Sequence, residues 1–258
     1  MPAQLDRRLT HEIMRPTAII TGASRGIGAA VLRRFSDSHD CIVLGLTRPQ
    51  HCTRFIKADL AEGSTVAAAC EELAEYLTSC GVTPEVLVNN AGGAQPATAM
   101  AITPDHIQRD LTLNLVAPMM LTRVVLEPMR AAGQGSIVNV SSTAAKPGVA
   151  YLPAYSAANA GLIAYTQSLA AEVGSFGVRA NCVCPGAVDT AGADDGRREI
   201  SRLLGLRPDE YQAAMARRTG LGRLLEPDEV ADVIHWLALA GRAVNGQAIN
   251  VCGTLTMG

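Results

Sequence analysis

The sequence predicts one α/β domain built on a doubly wound parallel sheet flanked by helices, and three observations carry that reading. Short, largely apolar runs recur along the chain, at residues 17–21, 41–46, 86–88 and 137–140, separated by stretches of helical length and pattern. Runs without polar alternation are what strands look like when helices cover both faces of their sheet. The first run passes directly into a glycine-rich turn and then an amphipathic segment, the order in which a strand, a backbone turn and a helix N-terminus make a phosphate cradle. Finally, 258 residues at 48% hydrophobic content are enough to bury one large core.

The elements follow in order. Residues 1–15 carry Asp6, Arg7, Arg8, Glu12 and Arg15 where a signal peptide needs an apolar centre, so they read as a polar N-terminal arm. No apolar run reaches membrane-spanning length, which points to a cytoplasmic protein with no membrane partner. A net charge of −2 gives no bias toward nucleic acid. Seven cysteines without a Cys-x-x-Cys pair, and five scattered histidines, indicate neither a disulfide framework nor a metal site. Thr17–Thr21 is the first strand, and Gly22, Ser24, Arg25, Gly26, Ile27 and Gly28 form the turn into a helix reaching Phe35. The second strand ends in Thr47-Arg48 rather than in a carboxylate that would accept from a ribose hydroxyl, and a cation there suits a ribose phosphate.

A third strand closes at Asp59-Leu60, and the fourth, at residues 86–88, at Asn89-Asn90-Ala91-Gly92. Thr103-Pro104-Asp105 reads as N-cap, first-turn proline and a dipole-favoured acid opening a helix that carries Asn114 inward. The strand at residues 137–140 ends in Ser141-Ser142, and from Pro153 the pattern is helical, placing Tyr155 and Asn159 four apart on one face. The strand at residues 178–183 runs into Pro185-Gly186-Ala187-Val188-Asp189-Thr190. A charged segment at residues 191–222 follows, then a helix opened by Glu226 and a last strand near Asn250.

Thr-Gly-x-x-x-Gly-x-Gly at residues 21–28, Asn-Asn-Ala-Gly at 89–92, Ser142 thirteen residues before Tyr155, and Pro-Gly-x-x-x-Thr at 185–190 together resemble the short-chain dehydrogenase/reductase family over residues 15–258. The resemblance implies a single-domain Rossmann fold with seven parallel strands over residues 16–258, and a substrate lid at about 191–222. It implies a nicotinamide cofactor, and Arg25 and Arg48 point to NADP(H). Gly22, Ser24, Arg25, Gly26, Ile27 and Gly28 would hold the pyrophosphate, Asp59, Leu60, Asn90, Ala91 and Gly92 the adenosine side, and Pro185, Gly186, Val188 and Thr190 the nicotinamide. Tyr155 would be the acid/base and Ser142 its partner on the substrate oxygen, with a small-molecule carbonyl or alcohol as substrate. A homo-oligomer, tetramer or dimer, is implied through the alanine-rich helix that carries Tyr155.

The chain departs from the family in two places. Tyr-x-x-x-Lys is here Tyr-x-x-x-Asn, so Asn159 stands where the family has its lysine, and Asp-Gly-Gly is here Cys252-Gly253-Thr254. An unperturbed tyrosine titrates near ~10, and a nearby cation is the usual means of lowering that. An asparagine carries no charge, and its shorter side chain suggests a water bridge to the ribose, with Asn114 completing the relay. Lys146, on the loop after Ser142, is a candidate for the missing cation. Two functions remain open: an NADP(H)-dependent carbonyl reductase with an atypical Ser-Tyr-Asn site, or a scaffold that binds the nucleotide and does non-redox or binding work.

Overall fold

The computed structural model of the chain describes residues 15–190 and 194–257. The expected arm up to residue 14 and residues 191–193 of the expected lid lie outside the described residues. Seven strands form one parallel sheet: β1 (Thr17–Thr21), β2 (Asp40–Gly45), β3 (Arg54–Lys57), β4 (Pro84–Asn89), β5 (Gly135–Val140), β6 (Val178–Pro185) and β7 (Ala248–Val251). Their order across the sheet is β3-β2-β1-β4-β5-β6-β7. The order reverses between β1 and β4, and the crevice beyond the carboxyl ends of the strands at such a reversal is where this architecture takes a ligand.

Successive strand residues point to opposite faces. Ala18, Ile20 and Val43 therefore enter a core shared with Val31 and Phe35 of α1 (Gly26–Ser36) and Ile234 of α8 (Pro227–Leu239). Ile19, Leu44 and Leu87 enter the other core, with Leu73 of α2 (Gly63–Ser79) and Leu121 and Met129 of α4 (Ala117–Ala132). Each fully buried aliphatic side chain contributes roughly 1.5–3 kcal/mol, which fixes the register of every strand against its helices.

Local chemistry sets the helix ends. Thr103 caps α3 (Pro104–Leu111) by accepting the His106 N–H at 3.3 Å, with Pro104 in the first turn. Between α3 and α4 lies a single π turn, Thr112–Val116, which places Asn114 at its centre. Isolated π turns of this kind recur at functional sites because they displace one residue from the helical repeat. The C-terminus of α8 has no basic residue of its own in the last turn. Arg179 of β6 supplies the charge, donating to the carbonyls of Leu237, Ala238 and Gly241 at 2.8, 2.8 and 3.0 Å.

A buried polar chain crosses the sheet toward the helix that carries Tyr155, α5 (Pro153–Val173). Asn89 Nδ2 donates to Asn139 Oδ1 at 2.9 Å, Asn139 Nδ2 to Thr166 Oγ1 at 2.8 Å, and Thr166 Oγ1 to the Leu162 carbonyl at 2.7 Å. Such a chain ties β4, β5 and α5 in one arrangement, because any slip leaves buried donors unpaired.

Candidate active site

The turn after β1 has no room for side chains at its glycines. Gly22 has φ +67°, and a Cβ there would lie 2.9 Å from Ala91 Cα; at Gly28 it would lie 2.1 Å from the Gly22 carbonyl oxygen and 2.5 Å from Asn90 Nδ2. Gly26, at φ +56°, faces Thr190, whose Cγ2 would be 3.1 Å from a Cβ. The α1 N-terminus carries neither a side-chain cap nor an acid in its first turn, so its backbone N–H groups and positive dipole end are left for an anion. This cradle fits a dinucleotide pyrophosphate. Ser24 and Arg25 of this turn are exposed, as is Arg48 after β2.

Asn90 locks the cradle to β4: Nδ2 donates to the carbonyls of Thr21 and Gly22 at 3.0 and 3.1 Å. Thr21, the first residue of the glycine motif, accepts the N–H groups of Asn90 and Ala91 on its hydroxyl at 2.9 and 2.8 Å, a role its place in a strand did not suggest. Asp59 Oδ1 accepts the Ala61 N–H at 3.0 Å, and Leu60 is buried, so of this pair the carboxylate is the one with polar atoms to offer a ligand.

Ser142 follows the end of β5 in an extended conformation, and its hydroxyl accepts the Ala144 N–H at 3.1 Å. It also acts on the phenol of Tyr155, near the start of α5, favouring its ionised form. The two expected catalytic residues are thus together. Burial pushes the Tyr155 phenol above its ordinary value; Ser142 opposes that, while Asp110 and Cys184 add to it.

Asn159 is turned differently from the expectation. It is 1% exposed, and its Nδ2 donates to the Tyr155 backbone carbonyl at 2.9 Å, one helical turn back on the same helix. Ser141 Oγ donates to the Asn159 carbonyl at 3.1 Å, anchoring this turn of α5 to the end of β5. The short amide finds its partner within its own helix rather than reaching across the cleft. Asn114 is likewise committed: Oδ1 accepts the Gly93 N–H at 3.1 Å, and Nδ2 donates to the carbonyls of Gly93 and Asp110 at 2.9 and 2.8 Å. Its amide secures the loop after β4. Lys146 Nζ lies 3.4 Å from the Ala248 carbonyl of β7, and its charge favours the thiolate of Cys184.

Gly186 packs against the C-terminal departure, where a Cβ would lie 2.7 Å from Cys252 Cβ. Pro185 is buried at the end of β6, and Val188 bridges to Leu225. Thr254 holds φ +65°, an uncommon conformation for a β-branched residue, and its hydroxyl accepts the Gly220 N–H at 3.0 Å. The segment expected as a lid forms α6 (Asp194–Leu204) and α7 (Pro208–Arg218). Arg197 of this region turns inward to the carbonyls of Thr190 and Val188 at 2.8 and 3.3 Å, and beyond it Arg223 pairs with Glu229 at 2.7 Å. On α5 the small residues divide: Ala154 and Ala158 are buried within the chain, and Ala157 and Ala164 are exposed. Among the described residues no helix is long and apolar enough to cross a membrane, and no group of three His, Cys, Asp or Glu side chains gathers at metal-binding range.

A doubly wound sheet with a glycine cradle at its switch point, and a serine and a tyrosine placed at the end of β5 and the start of α5, defines a class of nucleotide-binding protein. The sequence pattern of the short chain dehydrogenase family matches residues 16–200, and the chain belongs to that family. It is 33% identical over 253 residues to cis-4-hydroxycyclohexanecarboxylate dehydrogenase of Sinomonas cyclohexanicum, covering 93% of this chain and 96% of the relative. It is 32% identical over 254 residues to a 3-oxoacyl-acyl-carrier-protein reductase of Pseudomonas aeruginosa, covering 93% and 97%. A crystal structure of an actinorhodin polyketide ketoreductase with NADPH superposes with a TM-score of 0.84 at 29% identity, covering 93% of this chain and 97% of that one.

Proposed function

We propose that the chain is an NADP(H)-dependent carbonyl reductase of the cytoplasm in which Tyr155 acts as a neutral acid without a lysine beside it. The observation that carries this is the placing of Ser142, at the end of β5, beside Tyr155, near the start of α5, at the carboxyl edge of the sheet whose first turn is the glycine cradle. Relatives that reduce 3-oxoacyl groups and a structural neighbour holding NADPH support the same reading.

Gly22, Ser24, Arg25, Gly26, Ile27 and Gly28 would hold the pyrophosphate against the α1 N-terminus. Arg25 and Arg48, both exposed, would meet the ribose phosphate, because a guanidinium gains more from a phosphate dianion than from a hydroxyl. Asp59, Leu60, Asn90, Ala91 and Gly92 would border the adenosine, and Pro185, Gly186, Val188 and Thr190 the nicotinamide. When bound, the reduced nicotinamide supplies a hydride for a carbonyl carbon. The chain supplies the rest: Ser142 hydrogen-bonds the carbonyl oxygen, and Tyr155 gives that oxygen its proton as negative charge develops there. A phenol held above its ordinary pKa is fully protonated at neutral pH, so it is always loaded for this step. Asn159 and Ser141 act on the position of Tyr155 by fixing the turn of α5 that bears it.

The test is NADPH absorbance followed with a panel of ketones, together with calorimetric titration of NADP(H) and NAD(H). Ketone-dependent oxidation of NADPH and tighter binding of NADP(H) are expected. If NADPH binds and no ketone is reduced, the nucleotide is a structural ligand and the chain has a binding or non-redox role. Equal or tighter binding of NAD(H) would remove the assigned role of Arg25 and Arg48.

A further inference from the structure

The Cys252-Gly253-Thr254 turn, where the chain departs from its family, touches both the segment after β6 and the end of the α6–α7 pair. Toward the first, a Cβ at Gly186 would lie 2.7 Å from Cys252 Cβ and 2.9 Å from Cys252 Cα. Toward the second, the Gly220 N–H is shared between the Gly253 carbonyl at 2.6 Å and the Thr254 hydroxyl at 3.0 Å. The approach is so close that a Cβ at Gly220 would collide with Thr254 Oγ1, whereas its next neighbours, the Gly253 carbonyl oxygen and Thr254 Cβ, would stand at an ordinary 3.5 Å. A Cβ at Gly253 would meet the Leu221 side chain at 3.1 Å.

Thr254 holds φ +65°, where a β-branched residue stays only when its surroundings over-determine it. The bond from Gly220 is what its hydroxyl gains there. Gly220 itself has no left-handed backbone to satisfy, so what keeps a side chain off it is Thr254.

The α6–α7 pair returns to the segment it left. At its start, Arg197 of α6 donates to the Thr190 and Val188 carbonyls at 2.8 and 3.3 Å. Beyond its end, the Leu225 N–H donates to the Ala187 carbonyl at 2.9 Å, and the Leu225 carbonyl accepts the Asp189 N–H at 2.8 Å. Between α7 and Leu225 the chain turns at residues 219–222. The Gly222 N–H donates to the Thr219 carbonyl at 3.1 Å, and the Thr219 hydroxyl to the Arg223 carbonyl at 2.8 Å. Gly220 and Leu221 fasten this turn to the C-terminal tail.

We propose that Thr254 is a positioning residue, whose turn clasps the exit of the α6–α7 pair at Gly220 and so sets the stance of α7 beside the segment that would border the nicotinamide. The inference rests on the reductase reading for its effect on turnover: the clasp governs the affinity for substrate and leaves the chemical step to residues it does not touch.

The test opens the clasp from one side and relieves it from the other. Gly220→Ala drives a Cβ into the Thr254 hydroxyl, and tryptic cleavage within residues 198–218, read by mass, should quicken about three- to tenfold, as for the loss of a hydrogen bond. KM for a reducible ketone should rise by a similar factor while kcat stays within about twofold. Thr254→Gly in the same chain removes the obstacle and lets the bond to the Gly253 carbonyl return. Both readouts should then fall back to the level of Thr254→Gly alone, about twofold above the parent. A folded Gly220→Ala protein cleaved at the parent rate, or one whose faster cleavage Thr254→Gly does not reverse, overturns the proposal. Faster cleavage with KM unmoved also overturns it, because the clasp is then structural only. If the parent reduces no ketone, the reductase reading falls, and the cleavage series still decides whether Thr254 clasps the turn.

Discussion

Asn159 donates its amide hydrogen to the backbone carbonyl of Tyr155 at 2.9 Å, so the residue four positions after the tyrosine serves the helix beneath it and brings no charge to its hydroxyl. The local electrostatics follow from that. With Ser142 as the counterweight to burial and to Asp110, the phenol stays above its ordinary value. Each unit of that value is worth about 1.4 kcal/mol of differential stabilisation between phenol and phenolate.

Restoring the cation should reverse this. In Asn159→Lys the ammonium enters a position that is 1% exposed, so it has to turn toward the cofactor cleft to keep its charge solvated. The Tyr155 midpoint is expected to fall by roughly two units, as for a phenol beside a cation. A pH–rate profile reads the shift; a folded variant with an unmoved profile would show that residue 159 does not address the tyrosine.

The glycine cradle makes a sharper steric expectation. Gly28→Ala places a Cβ 2.1 Å from the Gly22 carbonyl oxygen, and backbone cannot yield that distance without opening the turn. NADPH binding should be lost in calorimetry, with destabilisation of about 2 kcal/mol or more in denaturation. Gly63→Ala, where nothing lies within 4 Å at the start of α2, is the control and should be neutral or stabilising by roughly 0.5–1 kcal/mol.

Asn139 sits between Asn89 and Thr166 in the buried chain across β4, β5 and α5. Asn139→Ala leaves the Asn89 amide with only its longer contacts, at 3.4 Å to the Pro118 carbonyl and 3.5 Å to Thr122. Urea denaturation should show a loss of roughly 1–3 kcal/mol, the desolvation penalty of an unpaired buried donor. A loss too small to measure would mean that the chain does not hold α5 in place.

Much of this was legible in the sequence, and the part that was not has a common cause. Strand runs and cradle are local: the apolar runs, the glycines after the first strand and the Asn90 signature are visible without knowing what packs where. Asp110 was not visible, because Pro104–Leu111 reads as a polar, solvated helix and its burial arises only when α3 meets α5 and the loop at residues 93–97. Arg197 is one charge among many in the segment at residues 191–222, and only in the fold do two carbonyls of the segment after β6 turn it inward. The alanines of α5 look like one docking face, yet Ala154 and Ala158 are used up within the chain.

The exposed remainder of that face, with Ala157 and Ala164, is still small enough for close helix approach, and a symmetric dimer or tetramer is expected. Sedimentation at micromolar concentration should show it, and Ala157→Arg with Ala164→Arg should shift the protein toward a monomer. A monomer before substitution would contradict the expectation.

Asp110 gives the pH dependence of stability a definite sign. Its folded value, about 6, lies above the ordinary carboxylate range, so the folded state holds its proton more tightly than the unfolded chain does. Stability from this group is therefore fully present at low pH and is lost as pH rises through that window, by up to about 3 kcal/mol. Asp110→Asn removes the loss. It should be more stable than the parent at about pH 7 in urea denaturation, with the difference vanishing near about pH 4.

Whether Tyr155 protonates the carbonyl oxygen as a neutral acid is read most directly from the alkaline limb of ketone reduction. With NADPH and a reducible ketone, turnover should be level through neutral pH, fall only above the ordinary tyrosine range of about 10, and disappear in Tyr155→Phe. Turnover that falls with a midpoint near neutrality, or that survives in Tyr155→Phe, would contradict that role.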